Sequence, residues 1–213
     1  MVFDMPNLID VKITSYHTLK TIQSCVTRCQ NVKYLTLHDY GNCEPTEENY
    51  VDIPLRNIAT NLRQLKSLCL SGFFLTETGL DCFSACTTSG PQSPSSVRPQ
   101  LETLELGDCH IFDGHLQCMS SVFHSLRKLT ICSHFISNTG VGYLANMRCL
   151  RKLELSSCTH IDEECIELLS EAGSMITSLK ITRCKHFGYT QDLEYIGQLT
   201  SSGETLFVRK QHN

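Results

Sequence analysis

The chain has 213 residues, 41% hydrophobic and 19% charged, with a formal net charge of −4 and a pI near 6.1. That balance describes a globular chain with a sizeable core, and it argues against nucleic acid or an anionic membrane surface as a whole-surface partner. Thirteen cysteines, an odd number, fall below the density of disulfide scaffolds, and there is neither a secretory leader nor an apolar run near the ~20 residues of a membrane helix, so the expected setting is reducing, cytoplasmic or nuclear.

In chain order, "VFDMPNL" reads as the end of a helix feeding a first strand, Leu8-Val11-Ile13. A repeat is expected to be cut there without a polar cap, as in a piece of a longer protein or an end covered by another chain. A second strand follows at Val32-Leu35-Leu37. "DYGNCEPTEENYVD", residues 39–52, then reads as an acidic surface insertion. Leu65-Leu68-Leu70, followed by Leu75, Gly79, Leu80 and Phe83, starts a third unit of strand, turn and short helix. "TTSGPQSPSSVRPQ", residues 87–100, is a Ser/Pro-rich insertion whose Ser93-Pro94 pair is a weak phosphorylation signal. Four more units begin at Leu101, Leu126, Leu150 and Ile176. "GETLFVRKQHN" supplies a last strand, a partial eighth unit at Leu206-x-Val208, with Arg209 and Lys210 keeping the edge soluble.

The template is L-x-x-L-x-L-x-x-C, as in "LRKLELSSCTHIDEECIELL" from Leu150 to Leu169. Starts at 8, 32, 65, 101, 126, 150 and 176 are spaced by 24, 33, 36, 25, 24 and 26 residues. A period in this range with this leucine order marks one strand and one helix per coil. One coil alone buries too little apolar surface to offset the entropy of ordering it, so coils must stack into a continuous core. Residues 1–213 are therefore expected to form one domain. The ninth position, held by Tyr16, Tyr40, Phe73, Cys109, His134, Cys158 and Cys184, is expected to turn inward between coils, where a thiol serves as a small apolar spacer.

"LRKLELSSCTHIDEECIELL" and "LRKLTICSHFISNTGVGYL" resemble the cysteine-containing leucine-rich repeats of F-box/LRR proteins and of antagonist-of-mitotic-exit-network-like relatives. The resemblance spans about Leu8 to Ile196. It implies an α/β solenoid, a curved horseshoe with parallel strands on the concave face and helices on the convex face. It also implies a role as the substrate-recognition part of an SCF-type ubiquitin ligase receptor. No F-box is present, so the SCF adaptor would have to be reached through a missing N-terminal F-box or another chain. The alternatives are the sensor end of an intracellular immune or signalling receptor, whose repeats are longer, and a free-standing scaffold.

Side chains alternate along a strand, which puts positions three, five and seven on the concave sheet. There the candidate residues for a protein or peptide partner are Tyr34, His38, Glu105, Lys128, Lys152, Glu154, Lys180 and, beside the last strand, Arg183. Tyr34 and Arg183 are the anchor types among them. "CHIFDGHLQC" holds Cys109, His110, His115 and Cys118, but the spacing is no usual zinc pairing and Cys109 is already an inward residue. There is no phosphate loop, no G-x-S-x-G and no H-E-x-x-H. The expectation is a binding module without catalysis, metal or cofactor.

Overall fold

A computed structural model describes residues 7–15, 22, 26–39, 51–84, 99–171, 174–184, 193–195 and 209–210. Seven parallel strands run in sequence order through one sheet: β1 (Asp10–Ser15), β2 (Tyr34–Asp39), β3 (Ser67–Ser71), β4 (Thr103–Gly107), β5 (Lys128–Cys132), β6 (Lys152–Ser156) and β7 (Ser178–Thr182). Each starts two residues after the leucine, valine or isoleucine that opens its coil. The helices described between β2 and β7 are α1 (Asp52–Asn61), α2 (Glu77–Asp81), α3 (Asp113–Val122), α4 (Asn138–Leu144) and α5 (Glu164–Glu171). Among the described residues no helix is long and apolar enough to cross a membrane.

Period-two alternation creates the core. Leu35, Leu68, Leu104, Leu129, Leu153 and Leu179 lie in register as one buried column. Leu37, Leu70, Leu106, Ile131, Leu155 and Ile181 form the next. Leu80, Leu116, Val141 and Leu169 close the core from the helices. Solvent-facing strand positions alternate with these, which leaves one sheet face open.

Four strands, β3, β4, β6 and β7, end abruptly because the eighth position of their coil turns left-handed. Gly72, Asp108, Ser157 and Arg183 adopt φ of 79, 51, 58 and 54°. The turn aims the next side chain inward, so Phe73, Cys109, Cys158 and Cys184 are buried. Cys109, Cys158 and Cys184 direct their thiols at the carbonyls of Gly107, Ser156 and Thr182, at 3.4, 3.5 and 3.3 Å. The spacer role expected of these cysteines is the one they occupy.

His134 corrects the expectation. It is exposed, and Ser133 fills the inward position, donating its hydroxyl to the Ile111 carbonyl at 2.8 Å. The coil at Leu126 lacks the left-handed residue, so the inward slot falls one residue earlier. Tyr16 and Tyr40 lie outside the described residues.

The expected insertions shrink from their ends. Asp39 belongs to β2 and Asp52 opens α1, while residues 40–50 and 85–98, with Ser93, lie outside the described residues. At the far end the sheet departs from parallel order. β8 (Leu193–Tyr195) and β9 (Arg209–Lys210) add as antiparallel strands on β7. Arg209 and Lys210 lie in β9, which pairs with β8 and so runs in the direction of β7, while Leu206 and Val208 lie outside the described residues.

Candidate functional site

The open sheet face gathers only part of the expected site. Glu105, Thr130, Glu154 and Lys180 are neighbours across β4 to β7, and Lys128 and Lys152 are neighbours one row above. Lys128 bridges two acids, with Nζ at 2.8 Å from Glu105 Oε1 and 3.9 Å from Glu154 Oε1. The Glu105 hydrogen bond raises the Lys128 ammonium above its ordinary pKa. Three of the expected contact residues are therefore tied to one another. Lys152 stays exposed and Lys180 is half-buried.

Tyr34 and His38 sit on β2, three strands from β5, or roughly 14 Å at ordinary strand spacing. Tyr34 is 49% exposed, and the small side chains of β3 separate it from the charged group. Arg183 is exposed on its left-handed turn just beyond β7. The face thus holds two separate patches, Tyr34 with His38 and the Lys152–Lys180 region.

A third surface, on the rim where strands turn toward helices, was not anticipated. Phe74, His110 and Phe135 occupy the tenth position of three successive coils and stack across them. Their centroids lie 4.5 Å apart for Phe74–His110 and 5.5 Å for His110–Phe135. Phe112 joins by stacking on Phe135 at 4.9 Å. Phe112 and Phe135 are 47% and 43% exposed, although large aromatics on a rim ordinarily seek cover. Phe74, Glu77, His110, Phe112 and His115 border a groove of about 390 Å³. The recurrence of Phe, His and Phe at the tenth position is visible in the sequence. Attention to strand positions alone passes over it.

His115 shapes the groove from below. Its Nδ1 accepts the Phe112 backbone N–H at 3.1 Å, which makes Nε2 the protonated nitrogen, donating to the Leu75 carbonyl at 3.0 Å. This buried ring is therefore neutral. Cys109 faces the core, His110 the rim stack, and Cys118 directs its thiol at the Glu77 carbonyl at 3.6 Å, so these residues of "CHIFDGHLQC" serve separate tasks.

Among solved structures, the chain is similar to TLR13 in the TLR13–ssRNA13 complex, at 13% identity and a TM-score of 0.49, over 84% of this chain and 26% of that one. It is similar to the internalin inlF of Listeria monocytogenes at 14% identity and a TM-score of 0.33, over 75% of this chain and 50% of that one. The chain spans no more than half the length of either. No family model matches, and no curated protein does. Likenesses this distant add little to what the register of the coils already decides. The chain is a leucine-rich repeat solenoid. Among the described residues its repeats present three surfaces, two on the open sheet face and one along the rim, and repeat proteins bind through extended surfaces of this kind.

Proposed function

We propose that this leucine-rich repeat chain is a protein-interaction module that recognises a protein or peptide partner. The observation that carries this reading is the exposed aromatic rim of Phe112 and Phe135, beside an open sheet face with Lys152 and Lys180. Exposed aromatics next to polar groups are the usual anchors of protein recognition. A binding role also fits the thiols. Burial pushes Cys109 and Cys165 up to about 12 and Cys118 up to about 11, leaving them protonated and poor nucleophiles.

The finer reading is the substrate-recognition part of an SCF-type, F-box/LRR-like ubiquitin ligase receptor. It rests on the inward cysteines Cys109, Cys158 and Cys184, the register that the cysteine-containing repeats share. The ten described cysteines are all free, which fits a cytoplasmic or nuclear setting. Residues 1–213 are taken as one such domain. The test is to express the complete transcript product in cells and identify what co-purifies with it. Recovery of the SCF adaptor and cullin, lost on removal of the segment that binds them, supports a ligase receptor. A specific partner recovered without either component leaves an interaction module and removes the ligase.

A further inference from the structure

The helices are tied coil to coil by a recurring clamp. The first residue of one helix binds the residue that caps the next. Asp52 accepts the Thr76 backbone N–H at 3.2 Å and its hydroxyl at 2.6 Å. Asp113 accepts the same two groups of Ser137 at 2.9 and 2.5 Å. Asn138 exchanges two hydrogen bonds with Asp162, at 2.7 and 3.1 Å. Among the helices α1 to α5, the joint between α2 and α3 is the one that differs. There the first helical residue is Glu77, and the cap opposite it is Phe112, which has no hydroxyl. The Phe112 N–H turns instead to His115. Among the described residues nothing donates to the Glu77 carboxylate, which lies close to Gly114 at the edge of the groove.

We propose that this joint takes an arginine side chain from a protein partner, with the guanidinium on the Glu77 carboxylate beside the half-exposed Phe112 ring. The inference deepens the protein-binding reading and rests on it. Three observations converge on arginine. Glu77 offers two acceptor oxygens where its neighbours in the fold are already satisfied, and a guanidinium donates in the matching fork. Phe112, 47% exposed, lines the same groove as Glu77, and an aromatic ring there suits a planar guanidinium better than a compact ammonium. Between Ser67 and Leu126 the sequence carries six carboxylates and a single Lys or Arg, Arg98, so the surround is complementary to a cation. The groove, at about 390 Å³, accommodates the side chain and its aliphatic stem.

The test uses the full chain and three capped tripeptides, Ac-Gly-Xaa-Gly-NH2 with arginine, lysine or citrulline, titrated by NMR. The arginine peptide is expected to bind weakly and saturably, moving the ring resonances of Phe74, His110 and Phe112. Citrulline, which keeps the shape and loses the charge, should bind at least about tenfold more weakly, a difference of about 1.4 kcal/mol. Glu77→Gln should produce the same loss. Phe112→Ser should abolish binding while keeping a cooperative melt, because the new hydroxyl restores the clamp and occupies Glu77. Equal binding of lysine or citrulline, undiminished binding by Glu77→Gln, or shifts confined to another surface overturns the arginine site. If the site fails while Lys152→Glu with Lys180→Glu still weakens capture of a specific partner, the module reading stands without it. If that pair of changes also leaves capture intact, both readings of the surface fall.

Discussion

Asp113 holds Ser137 twice, through the backbone N–H and through the hydroxyl, although the two lie on different helices. A carboxylate accepting two hydrogen bonds at a helix start also meets the positive end of that helix's dipole. Asp113→Ala is therefore expected to lower stability by about 1–3 kcal/mol, and Ser137→Ala by about 1 kcal/mol. The double variant should cost clearly less than the sum of the two. Strict additivity in denaturant melts would show that the clamp contributes nothing as a pair.

Gly72 combines a left-handed backbone with a neighbour that cannot move. A Cβ there would come within 2.1 Å of the Asp39 backbone oxygen, on the preceding coil. Gly72→Ala should cost about 2 kcal/mol or more. Gly107→Ala is the control, since its Cβ would meet only Ser71 Oγ, at 3.5 Å. A thermal melt that drops equally for both variants would contradict the backbone collision.

Thr130 lies between Glu105 and Glu154 on the sheet face, and its hydroxyl is covered and has no hydrogen-bond partner. Thr130→Val removes that group and keeps the shape. Stability should hold or rise by about 1 kcal/mol. A clear loss in urea unfolding would reveal a partner for the hydroxyl that the fold does not display.

The buried thiols set an alkaline limit. Cys109 and Cys165 are raised by burial from 9.0 to about 12. Their folded forms hold the proton longer than the unfolded chain does, so stability is fully present below pH 9 and falls as pH rises from 9 toward 12. Each unit of that window removes up to about 1.4 kcal/mol per thiol. Cys109→Val should flatten the decline in stability measured between pH 8.5 and 10.5. An unchanged slope would assign the decline to other groups.

On the sheet face the free charges, rather than the paired ones, should matter for binding. Lys152→Glu together with Lys180→Glu is expected to weaken capture of a protein partner, with the melting temperature nearly unchanged. Both side chains lie outside the core, and Lys128 already has its two acids. Undiminished capture at constant stability would move the binding surface away from β6 and β7.

The coils were legible in the sequence because a period-two leucine pair must face inward wherever it recurs. Leu35–Leu37 through Leu179–Ile181 obey that rule without exception. The inward cysteines followed from the same count. His134 did not, because the count assumed a left-handed residue that the Leu126 coil omits, and one missing residue moved the slot to Ser133. The rim aromatics escaped for another reason. Phe74, His110 and Phe135 come together only through stacking of coils, and distances between coils are not written in any one of them. The antiparallel turn of β8 and β9 likewise has no leucine signature.

The gap in the clamp series has a mechanical meaning. A stack of coils behaves as a row of units coupled to their neighbours. Between α2 and α3 the sheet pairs and the His115 and Cys118 side chains reach the Leu75 and Glu77 carbonyls, but the carboxylate-to-cap bond of the other joints is missing. Whatever bridges Glu77 to the next coil should therefore raise hydrogen-exchange protection on both sides of that joint. By reciprocity, a solenoid already stiff would hold that bridge more firmly, so grip and rigidity here are two readings of one coupling energy.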